Sequence, residues 1–403
     1  MNSPMLSRRP ARLLLILAIG LVALVLRENS VHRLPVDFDE PVYFTAAQQF
    51  AAAVRAGDLA RFVDADTAPE HPALVKLLYA AVFLRYPPLP PLPDAPDAEA
   101  PPQVFAMGLS ARQASAVFGV LNVLLVAAAS PAAGVLLAVH SYTVKYTAQV
   151  YLEALPMFTA TVCVLAYIRA SRQDAEEEEL TRRREDAKKK RLLLRVFAPS
   201  REPLLFWTIS AVALGLTAAG KYVYAVAGLA VVADALATVV WGAAAARRRR
   251  LLALAAWAAV ALFVFVAANP NLWPNPPGRL LDSLTFHAAY AGSDYVARSG
   301  YPWYQPFVWL VDPQPTRWHP GVIVIGLDPL IALLGAAGAP LLWRRQRVVV
   351  LWWLIGLAFT LAWSTKWPQY SLVMTVPMCL CAAEALRWLW ARVPADLKAA
   401  VAG

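Results

Sequence analysis

The sequence predicts an all-α, polytopic membrane protein, a bundle of about ten spans with interfacial helices in its first external loop. Three observations predict it. Of the 403 residues 59% are hydrophobic and only 16% charged, where a soluble domain is nearer a quarter charged. The mean hydropathy is +0.49. Apolar runs close to the roughly 20 residues that cross a bilayer recur along the whole chain.

In order, the runs predict spans near 11–27, 112–129, 132–147, 154–168, 203–220, 222–243, 251–268, 321–343, 348–363 and 371–390. The first follows Arg8, Arg9 and Arg12 as a signal peptide would. No small-x-small cleavage site precedes Arg27-Glu28-Asn29, so it reads as an uncleaved span. Cys163, Cys379 and Cys381 all sit inside apolar runs without a CxxC pair, so neither a disulfide framework nor a zinc site is suggested.

The net charge of +10 raises nucleic acid as a partner, and the distribution of the charges removes it. Most of the 37 Lys and Arg lie at the start, in 169–202, at Arg247–Arg250, at Arg344, Arg345 and Arg347, and in the tail. Those are the alternate connections of a ten-span chain, which the positive-inside rule places in the cytoplasm. The charged 169–202 segment pairs Glu178 with Arg182 and Glu185 with Lys189 at i,i+4, as a solvated cytoplasmic helix does. The predicted address is the plasma (inner) membrane, or the endoplasmic reticulum if the source is eukaryotic.

Two long loops, 28–110 and 269–320, fall on the opposite, outer side of a single membrane-embedded domain over 1–403. The first holds an amphipathic stretch, Pro41 to Val54, and a second apolar one, Leu74 to Leu84. Both are too short to span and read as interfacial helices. A proline-rich segment, RYPPLPPLPDAPDAEAPP, follows. Prolines and aromatics in NPNLWPNPPG and GYPWYQPFVWL suit the membrane–water boundary.

This topology gathers the unusual polar residues on the outer side: Asp39, Glu40, Glu70, His71, Lys76, Glu153, Lys221, His287 and Lys366. Acids and bases converging on one membrane face suggest a site. Two acids lie within predicted spans, Asp328 in an outer half and Asp234 deeper, where a neighbouring helix would have to satisfy it.

FDEPVYF at 38–44, followed by HPALVKLL at 71–78, resembles the protein O-mannosyltransferase family, glycosyltransferase family 39. That family carries FDE-x-x-F and then HPPLxKLL in its first external loop, and bacterial relatives that modify lipid A with aminoarabinose share the plan. ARQASAVFG at 111–119 resembles its RLPSALFG, and YLEA at 151–154 its LLDA. GLTAAGKY at 215–222 and STKWPQY at 364–370 are similar to its lysine-tyrosine stretches.

The resemblance implies a GT-C fold and a glycosyltransferase that moves mannose or a related sugar from a polyprenyl-phosphate donor, with inversion, to a lipid, polysaccharide or protein acceptor. It implies Asp39 as catalytic base, with Glu40 positioning the acceptor or the base. Lys221 would lie near the carrier phosphate, with Glu153 behind it, and His71 and Lys76 would shape the pocket. Glu70, His287 and Lys366 complete the substrate-binding set. Three departures stand out: Ala73 replaces the second proline, Ala148 occupies the place of an arginine, and no luminal domain follows. Lys145 or Arg112 are candidates to replace the arginine, and the last departure favours a lipid or polysaccharide acceptor over protein.

Asp39, Glu70 and His71 are hard ligands of a kind that holds a divalent ion, but no ligand spacing accompanies them. A metal therefore stays open, and no other cofactor is called for. The alternative of a non-catalytic polyprenyl-lipid-binding or lipid-flipping protein would need the cavity but no base.

Overall fold

The computed structural model describes residues 4–64, 67–92, 101–188, 201–241, 244–394 and 396. Among them every regular element is a helix. The fold class expected from the sequence is the one observed.

Helix α1 (Pro4–Arg33) leads into the first long loop, which folds into α2 (Glu40–Ala56), α3 (Leu59–Asp64) and α4 (Leu74–Phe83). α2 starts where its sequence says it should, with Pro41 in its first turn. It stops at Gly57, whose φ of 64° is the left-handed conformation that glycine adopts without strain. α2 and α4 pack on each other and are too short to span, as expected of interfacial helices. α5 (Pro102–Ala129) then runs back along α1.

The third expected span is not one helix. Residues 131–146 form α6 (Pro131–Val139) and α7 (Ser141–Tyr146), separated by an extended His140. Breaking a helix inside a membrane frees backbone groups that lipid cannot satisfy. Here the Asp328 carboxylate accepts the Ser141 N–H at 3.1 Å and its hydroxyl at 3.0 Å. The fully buried Arg27 of α1 donates to Thr147 Oγ1 at 2.8 Å beside the break. Asp328 is therefore committed to the break and does not face a cavity.

α8 (Ala154–Lys188) continues as one helix through the charged segment, so much of the expected 169–202 connection is helical. α9 (Arg201–Gly220) and α10 (Val226–Trp241) are divided by an extended Lys221 and a 3₁₀ turn at Tyr222–Ala225. α11 (Ala244–Ala267) precedes the second long loop, which carries α12 (Pro276–Ala291), α13 (Asp294–Arg298), α14 (Gln305–Val311) and α15 (Gln314–Trp318). The last helices are α16 (Asp328–Trp343), α17 (Arg347–Ala362) and α18 (Leu372–Arg392). α16 begins seven residues later than the apolar run suggested, because 321–327 is not helical.

Six helical segments have the length and hydropathy of membrane spans. α9, α16 and α17 contribute shorter apolar stretches, which makes this a multi-pass membrane protein. α8 packs on α9, α16 on α18, and α10 on α17. The α16–α18 contact depends on Gly338, where an added Cβ would sit 1.8 Å from the Cys381 carbonyl oxygen. Small residues are what let two backbones approach this closely in lipid. Gly338→Ala must push the helices apart and is expected to cost about 2 kcal/mol, read as a lowered unfolding midpoint in detergent.

Candidate active site

One end of the bundle collects the residues that the sequence singled out. The link from α1 to α2, residues 34–39, is held by Arg112 of α5. Its guanidinium donates to the carbonyls of Val31 at 3.1 Å, Leu34 at 2.7 Å and Pro35 at 2.8 Å. It also grips both oxygens of Glu40, at 2.8 and 2.5 Å. The same carboxylate accepts the backbone N–H of Val150 at 2.7 Å and of Asp37 at 2.9 Å.

Glu40 is fully buried. Its oxygens are taken up by holding the loop together and have no direct contact left for an acceptor. Arg112, a candidate above to replace the missing arginine, is consumed in the same way.

That brace sets two carboxylates two residues apart in different surroundings. Asp37 is ion-paired with Lys145 of α7. Burial pushes its carboxyl up, but the Lys145 charge and hydrogen bond outweigh this and hold it below the usual range. Asp39 receives only a weak hydrogen bond among the described residues, from the Gln369 amide at 3.5 Å. Burial raises it to about 6, against a downward pull from Lys221 and with an upward push from Asp37 and Glu153.

Lys221 projects from the break between α9 and α10 and meets Glu153 at 2.5 Å, both groups buried. The lysine ammonium also lies 5.3 Å over the Tyr370 ring. Glu153 Oε2 has no hydrogen-bond partner among the described residues. Lys221, His71 and His287 line one cavity of about 130 Å³, with Tyr370, Phe359 and Trp363 among its other walls. Its chemistry is cationic at one side and apolar at the other. Asp39 does not line it, although the charge of Lys221 reaches the Asp39 carboxyl.

The two histidines on this wall are held by other expected residues, Glu70 and Lys76, which do not line it. His71 and His287 have ring centroids 5.2 Å apart, and burial lowers both below the usual histidine range. His287 Nε2 lies 3.0 Å from the Glu70 carbonyl, which fixes that turn from α12. The Glu70 carboxylate is 3.9 Å from His71. Lys76 donates to the carbonyls of Ala68 and His71 at 2.8 Å and pins the loop from below.

Lys366 donates to the carbonyls of Thr360, Leu361 and Trp363, which makes it a C-terminal cap of α17, and it does not line the Lys221 cavity. Among the described residues no three His, Cys, Asp or Glu groups are placed to hold a metal, so Asp39, Glu70 and His71 do not form a ligand set. The sequence reading had no role for Asp37, Gln369 and Tyr370. The last two lie in the quoted STKWPQY stretch, but only folding shows which of its side chains turn inward.

No protein-family model and no curated protein matches the chain, so the O-mannosyltransferase resemblance rests on its motifs alone. Solved structures do match. ArnT from Cupriavidus metallidurans bound to undecaprenyl phosphate superposes with a TM-score of 0.59 at 16% identity, over 94% of this chain and 60% of that one. The apo state of the same protein gives 0.59 at 17%, over 94% and 61%. The apo oligosaccharyltransferase of Archaeoglobus fulgidus gives 0.53 at 12%, over 97% and 52%. The fold is of the GT-C type. The chain spans about three fifths of the ArnT chains it matches.

The buried Lys221–Glu153 pair separates structural from chemical roles. Removing one partner strands a buried charge at a cost of about 3–5 kcal/mol, whereas replacing both with neutral groups is far milder. Lys221→Met alone should therefore lower the unfolding midpoint sharply, and Lys221→Met with Glu153→Gln should restore most of it. If Lys221 serves only packing, any activity returns with the fold in the double variant. If it contacts substrate, activity stays lost.

Proposed function

We propose that this chain is a membrane glycosyltransferase that moves a sugar from a polyprenyl-phosphate carrier to an acceptor hydroxyl at the outer membrane face. The carrying observation is the division of charge at one bundle end: a carboxylate lifted toward neutrality at Asp39, and a buried ammonium at Lys221 beside an apolar-walled cavity. ArnT, a protein of the same fold, has been seen bound to undecaprenyl phosphate, which supports a lipid phosphate as ligand here. The motif resemblance points to mannose or a related sugar. The basic residues at the opposite end support the outward orientation.

In this mechanism the acceptor hydroxyl gives its proton to the Asp39 carboxylate. Its oxygen bonds to the anomeric carbon as the bond from that carbon to the phosphate oxygen breaks, on the opposite face of the ring, so the configuration inverts. The leaving lipid phosphate gains charge and is met by Lys221, with the two histidines beside it. The apolar walls from Phe359 and Trp363 suit the first carrier isoprenes. Glu40 and Arg112 are positioning residues, acting through the loop that bears Asp39.

Asp39→Asn should lower transfer of label from polyprenyl-phosphate sugars in membranes by about 10²–10⁴-fold while leaving the unfolding midpoint near wild type. Because the base must be ionised, kcat/KM in the wild type should rise with pH to a plateau above about 6 and fall below it. Normal turnover in the Asn variant, or a flat profile through pH 6, would sink this role for Asp39.

Orientation has its own test. The three native cysteines are buried, so a single cysteine placed at the exposed Asp58 should be labelled by impermeant maleimide in intact cells. Labelling only after the membrane is broken would reverse the orientation.

A further inference from the structure

The far end of the bundle holds a second cavity, of about 540 Å³, where α8 and α10 meet the turn between α16 and α17. Four arginines line it: Arg172, Arg344, Arg345 and Arg347. Two have acid partners. Arg347 Nε donates to Asp234 at 2.7 Å, and the Tyr167 hydroxyl donates to the other Asp234 oxygen at 2.7 Å. Arg345 lies 3.7 Å from Glu384, which is also gripped by Arg387. Arg172 and Arg344 are exposed, and neither forms an ion pair among the described residues.

We infer that this cavity binds a phosphate-bearing anion, independently of the glycosyltransferase reading. Four guanidinium groups against two partnered carboxylates, Asp234 on the wall and Glu384 behind Arg345, leave the cavity net positive, with Arg172 and Arg344 carrying the surplus. Guanidinium forks match phosphate oxygens in pairs. A positive-inside signal needs charge on the correct side of the membrane, but it needs neither a concave site nor an arginine fixed in place. Here Asp234, itself held by Tyr167, fixes Arg347 on the cavity wall.

α17 also begins at this wall, and its Gln346 N-cap makes no side-chain bond, so the positive end of the helix adds to the same field. Volumes of this size suit small-molecule ligands. The walls come from membrane helices and Trp343 is exposed on the rim, the position of an interfacial aromatic. A phospholipid headgroup therefore fits better than free phosphate, although the recognition chemistry is shared. α17 is sixteen residues long, about 24 Å of helix, so this site is remote from Lys221.

The test uses the full-length protein in neutral detergent at fixed ionic strength. Binding of dihexanoyl phosphatidylglycerol, dihexanoyl phosphatidylcholine and inorganic phosphate is measured by native mass spectrometry and thermal shift. Wild type should prefer phosphatidylglycerol over phosphatidylcholine. Arg172→Gln with Arg344→Gln should weaken that binding at least tenfold without moving the ligand-free unfolding midpoint, since both side chains are exposed. Arg392→Gln, elsewhere at this end of the bundle, is the charge control and should bind as wild type does. Phosphate competing with the lipid would support the anion site and assign a soluble source. Equal binding of the two lipids, or equal weakening by Arg392→Gln and by the double variant, would overturn the proposal.

Discussion

Arg112 and Glu40 form a buried, doubly hydrogen-bonded ion pair, and four segments of chain are organised around it. The guanidinium takes the Val31 carbonyl at the end of the first helix and the Leu34 and Pro35 carbonyls just beyond it, and the carboxylate takes backbone N–H groups from the α1–α2 link and from Val150. A buried pair repays the cost of taking two charges out of water only when its remaining hydrogen-bonding capacity is also used. Here the surplus capacity is used on backbone groups that have no helical partner. The pair thus does what a helix cap does, at a junction where two helix ends, a broken span and the α5 helix come together.

That junction explains why the broken span is tolerated. The 147–153 segment runs back toward α8 without regular structure, and loop backbone inside a membrane protein persists only where protein satisfies it. Glu40 bonds Val150, Arg27 bonds Thr147, and Asp328 bonds Ser141. Three buried charged residues from three distant parts of the sequence therefore hold the broken span and the irregular stretch that follows it. The irregular stretch in turn delivers Lys145 and Glu153 to the end of the bundle where Asp37, Asp39 and Lys221 lie.

The sequence makes the fold class readable, and nine of the ten expected spans are single helices, six of them of membrane-crossing length, because hydropathy and length report directly on burial in lipid. α6 and α7 escape that reading: Val135, Leu136 and Leu137 are as apolar as any span, and nothing local marks His140 as a break. The break is written at Asp328, 188 residues away. Asp234 shows the same limit. Its position demanded a neighbouring partner, and only the packing of α10 on α17 names Arg347 as that partner. Among residues of the candidate site, motif spacing pointed to Asp39, His71 and Lys221. It could not distinguish them from Glu40, Lys76 and Lys366, which carry the same charges but whose bonds go to structural partners.

Asp37 and Asp39 show how one short loop separates two similar acids. Both are largely removed from water, which alone would push both carboxyls up. Lys145 reverses this at Asp37 by direct contact, whereas Lys221 reaches Asp39 only across space because its own charge is spent on Glu153. The ionised Asp37 then disfavours a second negative charge at Asp39. Two carboxylates whose surroundings drive them apart are the usual arrangement for a fixed charge and a proton acceptor. On the proposed function, Asp37 is the fixed charge and Asp39 the proton acceptor. The absent arginine at Ala148 is then less of a loss than it seemed, since Lys145, three residues earlier in the chain, supplies a cation to the same loop. Both lysines are ion-paired, but Lys221 lies on the wall of the Asp39-end cavity and Lys145 does not, so on the proposed function Lys221 is the cation placed to meet the leaving phosphate.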